Sequence, residues 1–367
     1  MTNPLLADWN TPFGIAPFDR ISDDDFAPAL EEALTAHRAE IDAIAENPAA
    51  PSFANTIEAL EASGDALDKV LSVFFTVAGA DSNGAREALQ RDFSPKLAAH
   101  QSAISGNTKL FARIAAIWEA RDTLDLTEEQ ARVLMLTHRG FVRSGAALTG
   151  AAAERMKEIK ARLAVLGTQF TQNLLADERD WFMPLSEGDL TGLPDFALDA
   201  ARAAGKEKGA EGPVVTLSRS LITPFLQFSD RRDLREKAFR AWEARGANGG
   251  ETDNRDIAAE TLALRKERAE LLGYENFAAY KLETEMAKTP DAVRDLLMSV
   301  WKPAKAQADA DAEVLTALMR EDGVNGALEP WDWRYYAEKR RAAEHDLDEA
   351  ALKPYFQLDR MIDAAFD

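Results

Sequence analysis

From Ser22 onward apolar residues recur every three or four positions, and this period constrains the fold more than any other feature of the chain. In "TEEQARVLMLTHRGFVR", Thr127 stands at an N-cap, Gln130 completes a capping box, and Ala131, Leu134, Met135, His138 and Phe141 share one face. "TPDAVRDLLMSVW" follows the same logic, with Thr289 as N-cap, Pro290 as first helical residue, and Val293, Leu296, Leu297, Val300 and Trp301 as the stripe. Ala151 to about Asp180 is dense in helix formers, although Gly167 weakens its middle. The acidic cluster "SDDDF" (Ser22 to Phe26) reads as a helix start, because unsatisfied N–H groups in a first turn favour carboxylates.

The period breaks between Trp181 and about Asp230, where "MPLSEGDLTGLP" and "AGKEKGAEGPVVTL" concentrate Gly and Pro and supply the one convincing strand, Val214 to Leu217. This predicts an N-terminal helical domain over 1–180, a Gly/Pro-rich connection with a short β strand over 181–230, and a second helical region over 231–367. "GANGGETDN" and "DGVNGALEP" read as polar loops, and no 20- to 50-residue repeat indicates a solenoid. The expected class is mostly α: a multi-helix array with a small β ribbon.

Charge narrows the partners. With 43 Lys and Arg against 63 Asp and Glu, the net charge of −20 sets a field that repels phosphate backbones and anionic lipid heads. Nucleic acid and membrane are therefore not expected as partners. Cys is absent, so no thiolate metal site or disulfide framework exists. The opening residues "MTNPLLADWNTPFGIAPFDRI" lack the basic start and apolar run of a signal peptide, and no segment has the ~18 apolar residues of a membrane span. The expected compartment is the cytoplasm.

Chemistry is sparse. His37, His100, His138 and His345 are never three or four apart, so no helix face offers paired imidazoles to a metal. In "EHDLDE", Glu349 stands where a second ligand four residues after His345 would be needed, and His345 reads as a solvated surface residue. His138, on an apolar face, reads as a hydrogen-bonded core histidine. No GxGxxG, Walker loop or GxSxG occurs. In "PWDWRYYAEKRR" Trp331, Trp333, Tyr335 and Tyr336 either pack a core or edge a peptide groove. No catalytic or metal-ligating residue is assigned. At the end, "KPYFQLDRMIDAAFD" runs an apolar stripe through Phe356, Ile362 and Phe366 with no stop signal, which predicts an exposed apolar patch at Phe356, Met361 and Phe366 awaiting a partner surface.

Several segments resemble the zinc-dependent oligopeptidases of the thimet oligopeptidase and bacterial peptidyl-dipeptidase family. They are "NPLL" and "PFDRISDDDFAPALEEAL" near the start, "RRDLREKAFRAWEARG", "LALRKERAELLGYENFAAYKLETEMAKTPDAVRDLL", "EPWDWRYYAEKRR" and "LKPYFQLD". The resemblance implies neurolysin-like helical walls around a channel that admits short peptides, with Trp333 and Tyr336 as the candidates for an aromatic contribution to the substrate groove. It also implies a zinc ion, held in the complete enzyme by an HExxH helix and a further carboxylate. This sequence contains no HExxH. The resemblance therefore implies an N-terminal portion that ends before the zinc-binding helix, binds no zinc itself and lacks its C-terminal catalytic partner. A non-enzymatic peptide- or protein-binding homologue and one half of a split enzyme are the alternatives.

Overall fold

The computed structural model describes residues 3–345 and 352–367. The chain divides into two compact units, Met1–Lys157 and Glu158–Asp367.

The first unit is helical throughout. α1 (Asp23–Ala45) begins at a Ser22–Asp25 capping box with Asp23, Asp24 and Asp25 in its first turn, as the sequence predicts. A π-helical turn (Phe53–Glu58) runs into α2 (Ala59–Glu61), followed by α3 (Asp65–Ala80), α4 (Gly84–Ser105), α5 (Thr108–Ala120) and α6 (Glu128–Ser144). α6 carries the expected Thr127–Gln130 box and ends at Gly145, whose φ of +93° supplies the left-handed C-cap. Phe26, Leu30, Phe74 and Phe93 form one core, with Phe26 edge-on to Phe74 at 5.2 Å. Ile44, Ile57, Leu110, Ile114 and Leu134 form a second.

α7 (Gly150–Asp180) is continuous through Gly167 and carries the chain from one unit into the other. In the second unit, β1 (Phe182–Pro184) pairs antiparallel with β2 (Val214–Thr216), in the register Phe182 to Thr216, Met183 to Val215 and Pro184 to Val214. α8 (Asp195–Glu207) lies between the strands in sequence, and Gly205 comes so close to the chain at Gly212 that a Cβ there would sit 2.0 Å from its carbonyl oxygen. α9 (Arg219–Phe228), α10 (Arg232–Glu243), α11 (Arg255–Leu271), α12 (Phe277–Leu282), α13 (Pro290–Glu321) and α14 (Pro330–His345) follow, and a further helix spans Leu358–Phe366. The ribbon shares a core with α9 and α10 through Met183, Val215, Ile222, Phe225 and Ala238.

The fold is thus mostly α with one small two-stranded ribbon. Among the described residues no helix is long and apolar enough to cross a membrane.

Candidate functional site

The aromatic run of α14 is built around an acid. Asp332, in the helix's first turn, is fully buried. Its Oδ2 accepts from Arg232 Nη2 at 2.7 Å and from the Glu329 backbone N–H at 3.2 Å. Its Oδ1 accepts from Arg232 Nε at 3.0 Å and from Arg235 Nη2 at 3.1 Å. Arg235 is 1% exposed and donates further to the carbonyls of Ser229 (2.6 Å) and Trp331 (3.2 Å), its guanidinium lying 4.0 Å from the Tyr335 ring centre. One carboxylate and two arginines, each hydrogen-bonded, therefore join the start of α10 to the start of α14.

The neighbouring residues extend this junction. Tyr335 donates its hydroxyl proton to Asp230 at 2.8 Å, and burial, then this bond, raises the phenol above its ordinary pKa. The loop before α8 closes on the same place: at Gly192, φ is +83°, and a Cβ would lie 2.3 Å from the Phe228 carbonyl and 2.8 Å from Asp230, so glycine is required. Further along α14, Glu338 accepts from Gln227 of α9 at 2.8 Å and from Arg341 at 2.9 Å, and the Arg341 guanidinium is the main reason its carboxyl titrates low. Side-chain bonds thus tie α9, α10 and α14 into one wall, in which the buried Trp331 Nε1 is left without a partner.

The two groove candidates stand differently on that wall. Tyr336 is 2% exposed and packs with Leu315, Met319 and Tyr335 between α13 and α14. Trp333 is 36% exposed. Next to it in sequence, Arg334 lines an open cleft of about 800 Å³ with Phe196, Arg219, Thr223, Phe228 and Trp242. The wall thus presents one indole and one cleft outward and keeps its phenols inside. Sequence reading did not single out Arg232, Arg235 or Asp332; the available signal was an acid set between two tryptophans in a first helical turn.

Two of the four histidines meet. His100 of α4 is buried and its Nε2 lies 3.0 Å from His37 Nδ1 of α1, a pairing across 63 positions that sequence spacing hides. His37 Nε2 faces Ser63 Oγ at 3.3 Å. His138 stacks on Trp118 at 4.7 Å, with the planes 8° apart, and His345 is exposed, as the sequence suggests. Among the described residues no group of three or more His, Asp or Glu could hold a metal ion. The donors among the described residues do not fit zinc.

Burial, and then the charges of His37 and Arg38, push His100 below its ordinary value of 6.5. Burial and then Arg121 do the same for His138. Each histidine is therefore harder to protonate in the folded unit than in the unfolded chain, so stability is lost as pH drops below 6.5. The melting midpoint of the first unit should fall as pH goes from 7.5 to 5.5, by about 2–4 °C for each kcal/mol lost in a body of this size. His138→Phe with His100→Gln should flatten that dependence; an unchanged slope in the double variant would assign it elsewhere.

Residues 225–366, which include this wall, match Peptidase family M3. The chain is similar to the dipeptidyl carboxypeptidase of Escherichia coli (strain K12), 35% identical over 362 residues that make up 98% of this chain and 53% of that protein. It is 31% identical to oligopeptidase A of Salmonella typhimurium over all of its own length and 54% of the relative's, and 26% identical to saccharolysin of Saccharomyces cerevisiae over 69% of its own length and 36% of the relative's. The chain spans about half the length of the curated bacterial relatives it matches. The similarity takes in the ion-paired wall and the helices before it, and it is residues 225–366 that carry the match to Peptidase family M3.

Proposed function

We propose that this chain is the N-terminal, channel-wall portion of a zinc metallopeptidase that hydrolyses short peptides, as an oligopeptidase or a peptidyl-dipeptidase, and that it is inactive alone. The observation that carries the reading is an alignment covering 98% of this chain but only 53% of a dipeptidyl carboxypeptidase. Its own residues supply a helical wall, tied together by the Asp332 junction. The zinc and its ligands belong to the complementary portion, where the metal would polarise the scissile carbonyl and lower the pKa of a bound water. Trp333, with Arg334 and the cleft that Arg334 lines, is the groove-side aromatic, while Tyr336 stays inside with Leu315, Met319 and Tyr335. Short peptides are the substrates of the complete enzyme, and the cytoplasm is its compartment.

The purified chain should hold less than about 0.1 equivalent of zinc after desalting and should leave a quenched short peptide uncut, since zinc sites of this chemistry need two imidazoles and a carboxylate in one place. Stoichiometric zinc together with chelator-sensitive cleavage would overturn the reading.

A further inference from the structure

α13 is unlike the other helices of its unit. Its last turns are packed, with Leu315 and Met319 buried against Tyr335 and Tyr336 of α14. From Pro290 to Ala310, by contrast, every residue is exposed except Val293, which is half-buried. This bare stretch is not polar: Leu296, Leu297, Val300 and Trp301 are each between 57% and 67% exposed. Val293, Leu297, Val300 with Trp301, Ala304 and Ala308 follow one another at helical spacing, so the seam extends over sixteen residues. Five turns of helix with an uncovered stripe lack the packing that sustains helices in water.

α12 packs against both α13 and α11, and beside α11 lies a second unfilled surface. A cavity of about 540 Å³ is walled by Leu163, Leu166 and Phe170 of α7, Leu262 of α11 and Phe277 of α12, with Arg265 and Arg268 on its rim. Leu262 is 65% exposed. Arg268 donates to the Tyr280 hydroxyl at 2.7 Å, but its Nε is buried with no acceptor. Arg265 lies over the Phe277 ring at 5.2 Å. Among the described residues neither guanidinium has a carboxylate within ion-pair distance, in a chain that carries 63 acidic residues. An apolar hollow rimmed by two unneutralised arginines is complementary to an acidic side chain on an otherwise apolar segment.

We infer that the bare stripe of α13 and the Arg265–Arg268 hollow form one docking surface, and that its occupant is the portion of an M3 peptidase that has no counterpart in this chain, presenting apolar residues to α13 and a carboxylate to the hollow. The inference rests on the functional reading above and names the surface through which the two portions meet. Two observations choose this occupant. The bacterial relatives carry nearly as much chain again beyond what aligns here, and both surfaces lie within the matched 225–366 segment or directly against it. A second copy is disfavoured, because each copy carries a net charge of −20 and the same unneutralised arginines.

The test titrates the labelled full chain with the part of the Escherichia coli dipeptidyl carboxypeptidase outside the aligned segment. That probe counts as competent once it restores peptidase activity when mixed with the Escherichia coli enzyme's own other half. The wild-type chain is expected to bind and to gain hydrogen-exchange protection over residues 290–310 and 255–271. Leu297→Glu with Trp301→Glu, and separately Arg265→Glu with Arg268→Glu, should weaken binding at least tenfold while circular dichroism stays unchanged. Binding that both double variants leave intact would overturn the surface while the functional reading stands. No binding by the wild-type chain to a competent probe would overturn the functional reading itself. Self-association abolished by the α13 variant, with no binding to the probe, would make a second copy the occupant and overturn the inference.

Discussion

Asp332→Ala is expected to destabilise the second unit by about 3–5 kcal/mol, the largest effect of any single side-chain removal there, because it strands Arg235 in the core. Arg235 is 1% exposed, and Asp332 is the carboxylate facing it. Without that charge the guanidinium keeps only the Ser229 and Trp331 carbonyls and the Tyr335 ring. Arg232, 38% exposed at its side chain, can turn to water, so it contributes less to the loss. Asp332→Asn retains the shape and some hydrogen bonds but not the charge, and should fall between wild type and Ala. Trp333→Ala, one residue away and partly exposed, should cost less than about 1 kcal/mol.

Urea unfolding followed by tryptophan fluorescence separates these outcomes. Trp181, Trp242, Trp301, Trp331 and Trp333, five of the seven tryptophans, lie in this unit, so replacing Trp9 and Trp118 of the first unit by Phe makes the signal report on it alone. An Asp332→Ala loss under about 1 kcal/mol would mean that Arg235 finds solvent or another acceptor, and the junction would not be what fixes α10 to α14. Replacing Arg232, Arg235 and Asp332 together by apolar residues of similar volume should recover much of the loss, since the damage lies in the unpaired charge.

This junction also marks the limit of what the sequence disclosed. Helix starts were legible because capping is local: Ser22 with Asp25, Thr127 with Gln130 and Thr289 ahead of Pro290 all stand where their spacing puts them. β2 was legible from its run of valines, but its partner was not. β1 is three residues long and contains Pro184, which strand propensity disfavours, and only pairing with Val214 to Thr216 defines it. The stripe of α13 was read correctly as a stripe, yet nothing in its period distinguishes a covered face from a bare one. Phe356, Met361 and Phe366 are exposed, as the unterminated stripe predicted. His37 with His100, and Asp332 with Arg235, escaped notice because the partners are 63 and 97 positions apart. The polar loop at 246–254 illustrates the same point: Asp177 of α7 gathers Gly246, Asn248 and Thr252, and no feature of the loop's own sequence announces that anchor.

Arg113→Ala should have a comparable effect in the first unit, about 3–4 kcal/mol, through a different mechanism. Arg113 of α5 is 7% exposed and faces no carboxylate among the described residues. Its Nη1 donates to the carbonyls of Asn47 (2.9 Å) and Ala49 (3.1 Å), its Nη2 to Asn55 Oδ1 (2.8 Å) and its Nε to Thr56 Oγ1 (3.2 Å). One guanidinium therefore holds the connection after α1 and the π-helical turn against α5, and its loss leaves several acceptors unpaired at about 1–3 kcal/mol for each one that water cannot reach. Asn55 has other work, accepting from the Ser52 backbone and donating to Ala50, so the turn should loosen rather than vanish. Arg113→Lys should rescue only part of the stability, because a single ammonium cannot span four acceptors set in a planar fan. Hydrogen exchange should show amides at 47–57 opening earlier in both variants, while Phe26, Phe74 and Phe93, which form the separate core between α1, α3 and α4, keep their neighbourhood protected. Equal loosening of both cores would instead mean that Arg113 supports the first unit as a whole, and the local account of the π-helical turn would fail.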